Sequence, residues 1–251
     1  MRQGALYLPA LLVVIAGCQS GDSLSPITGQ PTTSNAVAPH DLAQETHVDY
    51  VKPPTTAAAP VATTESDDYS LEDGGARWFT GSAVEYAIAG TQPIRNANSA
   101  VTTAVATVDG FITTRSFTRK DATTQTNPCT GTANTIQWTT IDGPGNIVAG
   151  TSFCYLVATK EIVGFSMIID KDESWSIGST ATTLDVQNTV THEFGHAAGL
   201  GHVHAPQDGC LTMYPYVAFG EIQKRTLGLG DKLGMQTLYG STDVTAGTCG
   251  S

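Results

Sequence analysis

The segment Thr191-His192-Glu193-Phe194-Gly195-His196-Ala197-Ala198-Gly199-Leu200-Gly201-His202 restricts what this chain can fold into more than any other. His192 and His196 are four residues apart, so on a helix they project from adjacent turns in one direction. Glu193, one position along, points about 100° away around the axis. His202 stands six residues beyond His196, and a helix continued that far would carry it to another face. Gly199 removes the difficulty. A glycine at a helix end accepts positive φ and turns the chain back, which brings a third imidazole toward the first two.

That constellation points to metal chemistry. His192, His196 and His202 are candidate ligands for one catalytic zinc ion, since three protein ligands leave a fourth position open. Zinc lowers the pKa of bound water to about 7, and Glu193 is placed to take a proton from water and pass it on as general base. Two other readings share the motif. One is a surface lipoprotein that holds zinc and cleaves nothing, which the intact Glu193 argues against. The other is a different zinc hydrolase, such as a cell-wall amidase, which the third histidine and the later Met213 argue against.

H-E-x-x-H-x-x-G-x-x-H followed by Leu211-Thr212-Met213-Tyr214-Pro215 resembles the metzincin signature with its Met-turn. The details are most similar to matrixins: Thr191–His202, Met213-Tyr214-Pro215, and the closing Asp231-Lys232-Leu233-Gly234-Met235-Gln236-Thr237-Leu238-Tyr239-Gly240. The stretch from Asp170 to Trp175 resembles the strand end before their zinc helix. The resemblance spans roughly Trp78 to Gly240 and implies an α/β (α+β) zincin-like fold: a mixed twisted sheet, an active-site helix, the Met-turn and a C-terminal helix. It implies a zinc-dependent endopeptidase acting on proteins or peptides, with Met213 as an apolar floor under the metal. Tyr214 and Tyr216 fall where a primed-side pocket wall is expected. Substrate would dock as an extended strand on a sheet edge within Val148–Val157. Two departures stand out. Val203 follows the third histidine where matrixins usually have serine, and no cysteine-switch motif lies upstream. A second, structural zinc is not expected, because His204 is the body's only further histidine. The acidic turn at Asp170, Asp172 and Glu173 is a candidate calcium site.

The N-terminus reads as a signal. Arg2 is followed by an apolar run from Ala5 to Ala16, too short for a stable membrane span. Ile15-Ala16-Gly17-Cys18 resembles a bacterial lipobox, which implies lipidation of Cys18 and attachment to a membrane or cell surface after export. Residues 1–18 are therefore expected to be a lipoprotein signal peptide, 19–74 a disordered tether and 75–251 the peptidase domain. The tether is rich in Ser, Thr, Pro and Ala, and its His40 and His47 read as solvated linker histidines. Cys129, Cys154, Cys210 and Cys249 are even in number in an exported chain, which suggests two disulfides. Local loop closure favours Cys129–Cys154 and Cys210–Cys249.

The formal charge is −11, and the 12 Lys and Arg residues form no patch that could neutralise a phosphate backbone, so nucleic acid is not an expected partner. A monomer is expected. Strands are predicted at 82–89, 111–117, 135–141, 148–157 and 161–169, with helices over Pro93–Gly110, Asp185–Ala198 and Leu229–Tyr239.

Overall fold

The structure is a computed structural model that describes residues 41–51, 64–120, 127–130 and 134–247. In chain order the elements are β1 (Leu42–Val51), β2 (Ser70–Leu71), β3 (Val84–Ala89), α1 (Ala97–Asp109), β4 (Phe117–Lys120), β5 (Asn134–Thr139), β6 (Ile147–Leu156) and β7 (Ile162–Asp170). They continue as β8 (Trp175–Ser176), β9 (Leu184–Asp185), α2 (Val186–Ala197), β10 (Leu200–Gly201), β11 (Tyr216–Val217) and α3 (Leu229–Tyr239). Seven strands form one mixed sheet in the order β11-β1-β6-β7-β5-β3-β4. β4, β3, β5 and β7 run parallel, β6 turns antiparallel to β7, β1 is antiparallel to β6, and β11 is parallel to β1.

The expected α/β mixed sheet with an active-site helix is what forms, and the core explains why. Helix α1 turns Ala97, Ala100, Val101, Ala104, Val105 and Val108 inward, a stripe with helical spacing. On α2, Phe194 is fully buried and meets the rings of Phe117 and Phe165 edge-on, at 5.0 and 5.5 Å between centroids. This one side chain joins α2 to β4 and β7. Asp185 caps the N-terminus of α2 by accepting from Asn188 N at 2.8 Å. At the other end, Trp78 Nε1 donates to Ala197 O at 2.8 Å and Tyr239 Oη donates to Ala198 O at 2.7 Å, so two carbonyls left over at the helix end are satisfied.

Three expectations need correction. The strand at 111–117 begins only at Phe117. Phe111 N and Ile112 N bond back to Val108 O and Asp109 O, which prolongs the turn of α1. Thr113, Thr114 and Arg115 then spend side-chain donors on the carbonyls of Tyr239, Trp78 and Phe79. Residues 42–51, read as part of the tether, form a ten-residue strand paired with β6 from Leu42↔Leu156 to Tyr50↔Ile147. His47 is accordingly no solvated linker histidine: its ring stacks on His196 at 4.3 Å between centroids. The segment within Val148–Val157 that was expected to offer a free edge is covered by β1 in this structure.

Cys129 and Cys154 are disulfide-bonded, tying the 127–130 turn to β6. Cys210 is disulfide-bonded too, and Cys249, its expected partner, lies outside the described residues, as do Cys18 and His40. Among the described residues no helix is long and apolar enough to cross a membrane.

Candidate metal centre

Helix α2 presents His192 and His196 one turn apart, both buried. Gly199 then adopts φ +96°, where a β-carbon would stand 2.1 Å from Ala76 O, so the reversal of the chain needs glycine for both conformation and space. After this turn β10 pairs with β2, Leu200 opposite Leu71 and Gly201 opposite Ser70, and delivers His202. The three Nε2 atoms converge: 3.1 Å for His192–His202, 3.2 Å for His192–His196 and 3.0 Å for His196–His202.

The other ring nitrogens show what this convergence means. His192 Nδ1 lies on the carbonyl of Thr212, and His196 Nδ1 lies 2.9 Å from Leu200 O and 3.0 Å from Glu72 Oε1. Those partners are acceptors, so each Nδ1 carries the proton and each Nε2 presents a lone pair. Burial pushes the pKa of His192 down. It pushes that of His196 down to about 3, against the Glu72 bond. Lone pairs aimed at one point repel unless a cation lies between them. A tetrahedral zinc with bonds of about 2.0–2.1 Å would hold its nitrogens about 3.3–3.4 Å apart, close to the spacings here. The donor set fits zinc.

Glu193 is fully buried and sits beside this centre. Thr151 Oγ1, on β6, donates to its Oε2 at 2.6 Å, while its Oε1 is buried with no hydrogen-bond partner. Burial pushes the Glu193 carboxyl well above its ordinary range, and the charge of Asp49 adds to the rise.

The Met-turn lies beneath α2. Asp231 Oδ2 accepts from Thr212 N at 2.7 Å and Gly228 N at 2.9 Å, and Oδ1 accepts from Met213 N at 3.2 Å. This buried carboxylate, on the first turn of α3, sets both the Thr212 carbonyl that holds His192 and the position of Met213, which is 1% exposed. Tyr214 and Tyr216 meet edge-on at 5.9 Å. Their carbonyls accept from the buried ammonium of Lys224, at 2.8 Å for Tyr216, and Lys224 N donates to Asn188 Oδ1 at 2.8 Å.

Sequence reasoning missed Glu72, Thr151 and Asp49, and gave no role to Thr212 and Asp231 although both lie in the motifs it singled out. Glu72 bridges two imidazoles, with Oε1 on His196 and Oε2 3.1 Å from His47 Nε2. Burial alone would raise its carboxyl, but these bonds pull it down, to about 2. Asp49 Oδ1 lies 3.0 Å from His192 Nε2 and 3.4 Å from His202 Nε2. No spacing rule connects positions 49 or 72 to 192, and no sequence signal would have found them. At the acidic turn, Asp170 accepts from the amides of Ile141 and Asp142 at 3.2 Å and of Asp172 at 2.9 Å, and Glu173 accepts from Gly145 N at 2.5 Å.

Two imidazoles from one helix, a third brought in after a glycine reversal and a methionine below make a group that could hold a metal ion, in a zincin-like arrangement. The comparisons narrow the class. The matrixin family profile matches residues 77–240, more than half of the chain, and the chain belongs to that family. It is 35% identical to human matrilysin over 39% of this chain and 34% of that protein. It is likewise 35% identical to rat stromelysin-3 over 41% of this chain and 19% of that protein. Human matrix metalloproteinase-25 is 38% identical over 30% of this chain and 14% of its own length. The aligned part thus spans about a third or less of these relatives. Superposition on myroilysin gives a TM-score of 0.38 at 16% identity, over 71% of this chain and 91% of that one; the family assignment stands without it.

Proposed function

We propose that the chain is a zinc-dependent endopeptidase, with His192, His196 and His202 holding one zinc and Glu193 acting as general base. The observation that supports this most is the meeting of three Nε2 atoms within 3.0–3.2 Å of one another beside a buried, half-free carboxylate. Zinc held there supplies a Lewis acid for the scissile carbonyl and acidifies water toward neutral pH. Glu193 takes one proton from the attacking water at its unpartnered Oε1 and delivers it to the departing amine nitrogen. Thr151 fixes the other oxygen, so the carboxylate keeps its direction through both transfers. Substrate binds as an extended strand beside β6, the mode that family membership suggests.

A casein assay with and without a chelator tests the activity, combined with metal analysis of Glu193→Gln and His202→Ala. Glu193→Gln is expected to keep about one zinc and lose roughly 10²–10⁴ in rate. His202→Ala is expected to lose the metal. Near-native cleavage by Glu193→Gln would sink the base assignment, and a chain that binds zinc but cleaves no peptide would be the inactive surface protein. For the N-terminus we propose export and lipidation at Cys18, with a tether ahead of the domain. Cys18→Ser should then release the chain from the membrane fraction, and persistence there would count against the anchor.

A further inference from the structure

The proposed peptidase centre has a fourth polar atom that its chemistry does not use. Asp49 is 1% exposed, and its Oδ1 is buried without a hydrogen-bond partner. That oxygen points at the same place as the three Nε2 atoms, 3.0 Å from His192 and 3.4 Å from His202. One ligating atom from each of Asp49, His192, His196 and His202 falls within a sphere of contact where all lie within 4.8 Å of one another. A carboxylate oxygen and imidazole nitrogens with lone pairs facing one another, with Asp49, His192 and His196 buried and His202 partly so, are unfavourable unless a cation joins them. An anionic oxygen here would serve as a fourth zinc ligand, in the position that three histidines leave open.

The backbone around Asp49 makes the same point independently. β1 lies between β6 and β11, antiparallel to the first and parallel to the second. Without β1, those two strands would face each other across a gap one strand wide, with the metal centre at its floor. β1 therefore occupies the groove that an extended substrate needs. Its register with β6 shifts between Asp49 and Tyr50, next to the metal centre. Further contacts hold the strand down: His47 stacks on His196 and reaches Glu72, and Thr46 Oγ1 lies 2.8 Å from Ser152 Oγ. The family match begins at residue 77, so none of β1 belongs to the matched region.

We infer that β1 is a built-in inhibitor, in which Asp49 serves as the fourth zinc ligand and the strand fills the substrate groove until it is displaced. This rests on the proposed zinc peptidase reading. A polypeptide joined to the domain competes at a fixed, concentration-independent level, so only the fraction of molecules with β1 undocked can bind substrate.

The test uses the full chain in the Glu193→Gln background, which prevents self-digestion, loaded with cobalt(II) as a spectroscopic probe. Asp49→Ala and Asp49→Asn should each keep one metal ion but change the cobalt absorption spectrum, because water replaces a carboxylate. Hydrogen exchange at the amides of β1 and β6 should speed up in both variants. With Glu193 restored, the initial rate on a peptide substrate should rise about tenfold or more over the unprocessed parent. Unchanged spectra and exchange in both variants would overturn the inhibitor. So would Asp49 variants with altered spectra whose initial rate does not rise. If the parent chain binds no metal, the zinc reading itself fails, which is a different result.

Discussion

A β-carbon on Gly195 would stand 2.4 Å from Met213 Sδ, so the methionine of the Met-turn fills the space left by a missing side chain on the metal-bearing helix. The contact lies between the two candidate ligands of that helix in sequence, His192 and His196. Met213 follows Thr212, whose carbonyl holds His192 Nδ1. Gly195→Ala should gain helix propensity yet lose overall, because the buried thioether must move. The expected cost is about 1–3 kcal/mol with weaker metal retention. Met213→Ala in the same chain should restore part of it, since contacting sites are not additive. Thermal melts of the two single variants and the double variant would measure this coupling, and purely additive losses would show that the contact is unimportant.

The reversal at Gly199 is the second dependence. Any side chain there combines φ +96° with a clash on Ala76 O. Gly199→Ala should destabilise the domain by at least about 1–3 kcal/mol, the range for a strained backbone position. It should also separate His202 from the other two imidazoles. Equilibrium unfolding with parallel zinc titration would detect both. Native zinc affinity in a folded Gly199→Ala protein would mean that the turn does not set the third ligand.

Glu72 acts through His196. It accepts from Nδ1 and so helps to fix the ring with Nε2 toward the metal. Glu72→Ala should lower zinc affinity by about 10–100-fold, the usual effect of losing such an outer partner. Glu72→Gln keeps an acceptor and should lie between the two. Competition against a chromophoric chelator gives the affinities, and equal values for Glu72→Ala and the parent would remove Glu72 from the site.

The Cys129–Cys154 bridge joins a surface turn to β6, which carries Thr151 and pairs with β1. Cys129→Ser with Cys154→Ser should cost about 2–4 kcal/mol, with a lower melting temperature under non-reducing conditions. Peptide mapping without reduction should recover the 129–154 cross-link from the purified protein. Finding free thiols at both positions would contradict it.

The sequence by itself determined the parts whose causes are local. The four-residue spacing of His192 and His196 works only on a helix, Gly199 licenses a sharp reversal, and the apolar periodicity of α1, α2 and α3 announces their buried faces. Strand expectations were weaker where side chains compete for the backbone, as at 111–116, where three polar residues bond to distant carbonyls and the strand starts late. Tertiary structure alone decided the rest. β1 was invisible because its inward face sets Glu45, His47 and Asp49 between Ala43 and Val51. A strand that buries polar side chains beside a candidate metal centre shows no hydrophobic alternation and reads as linker. Glu72, Thr151 and Asp231 reach the site from positions far along the chain, and only chain folding sets those distances. The sequence specified three candidate ligand nitrogens; the pairing of β1 with β6 placed Asp49 Oδ1 beside them, an arrangement that depends on three-dimensional proximity and not on spacing.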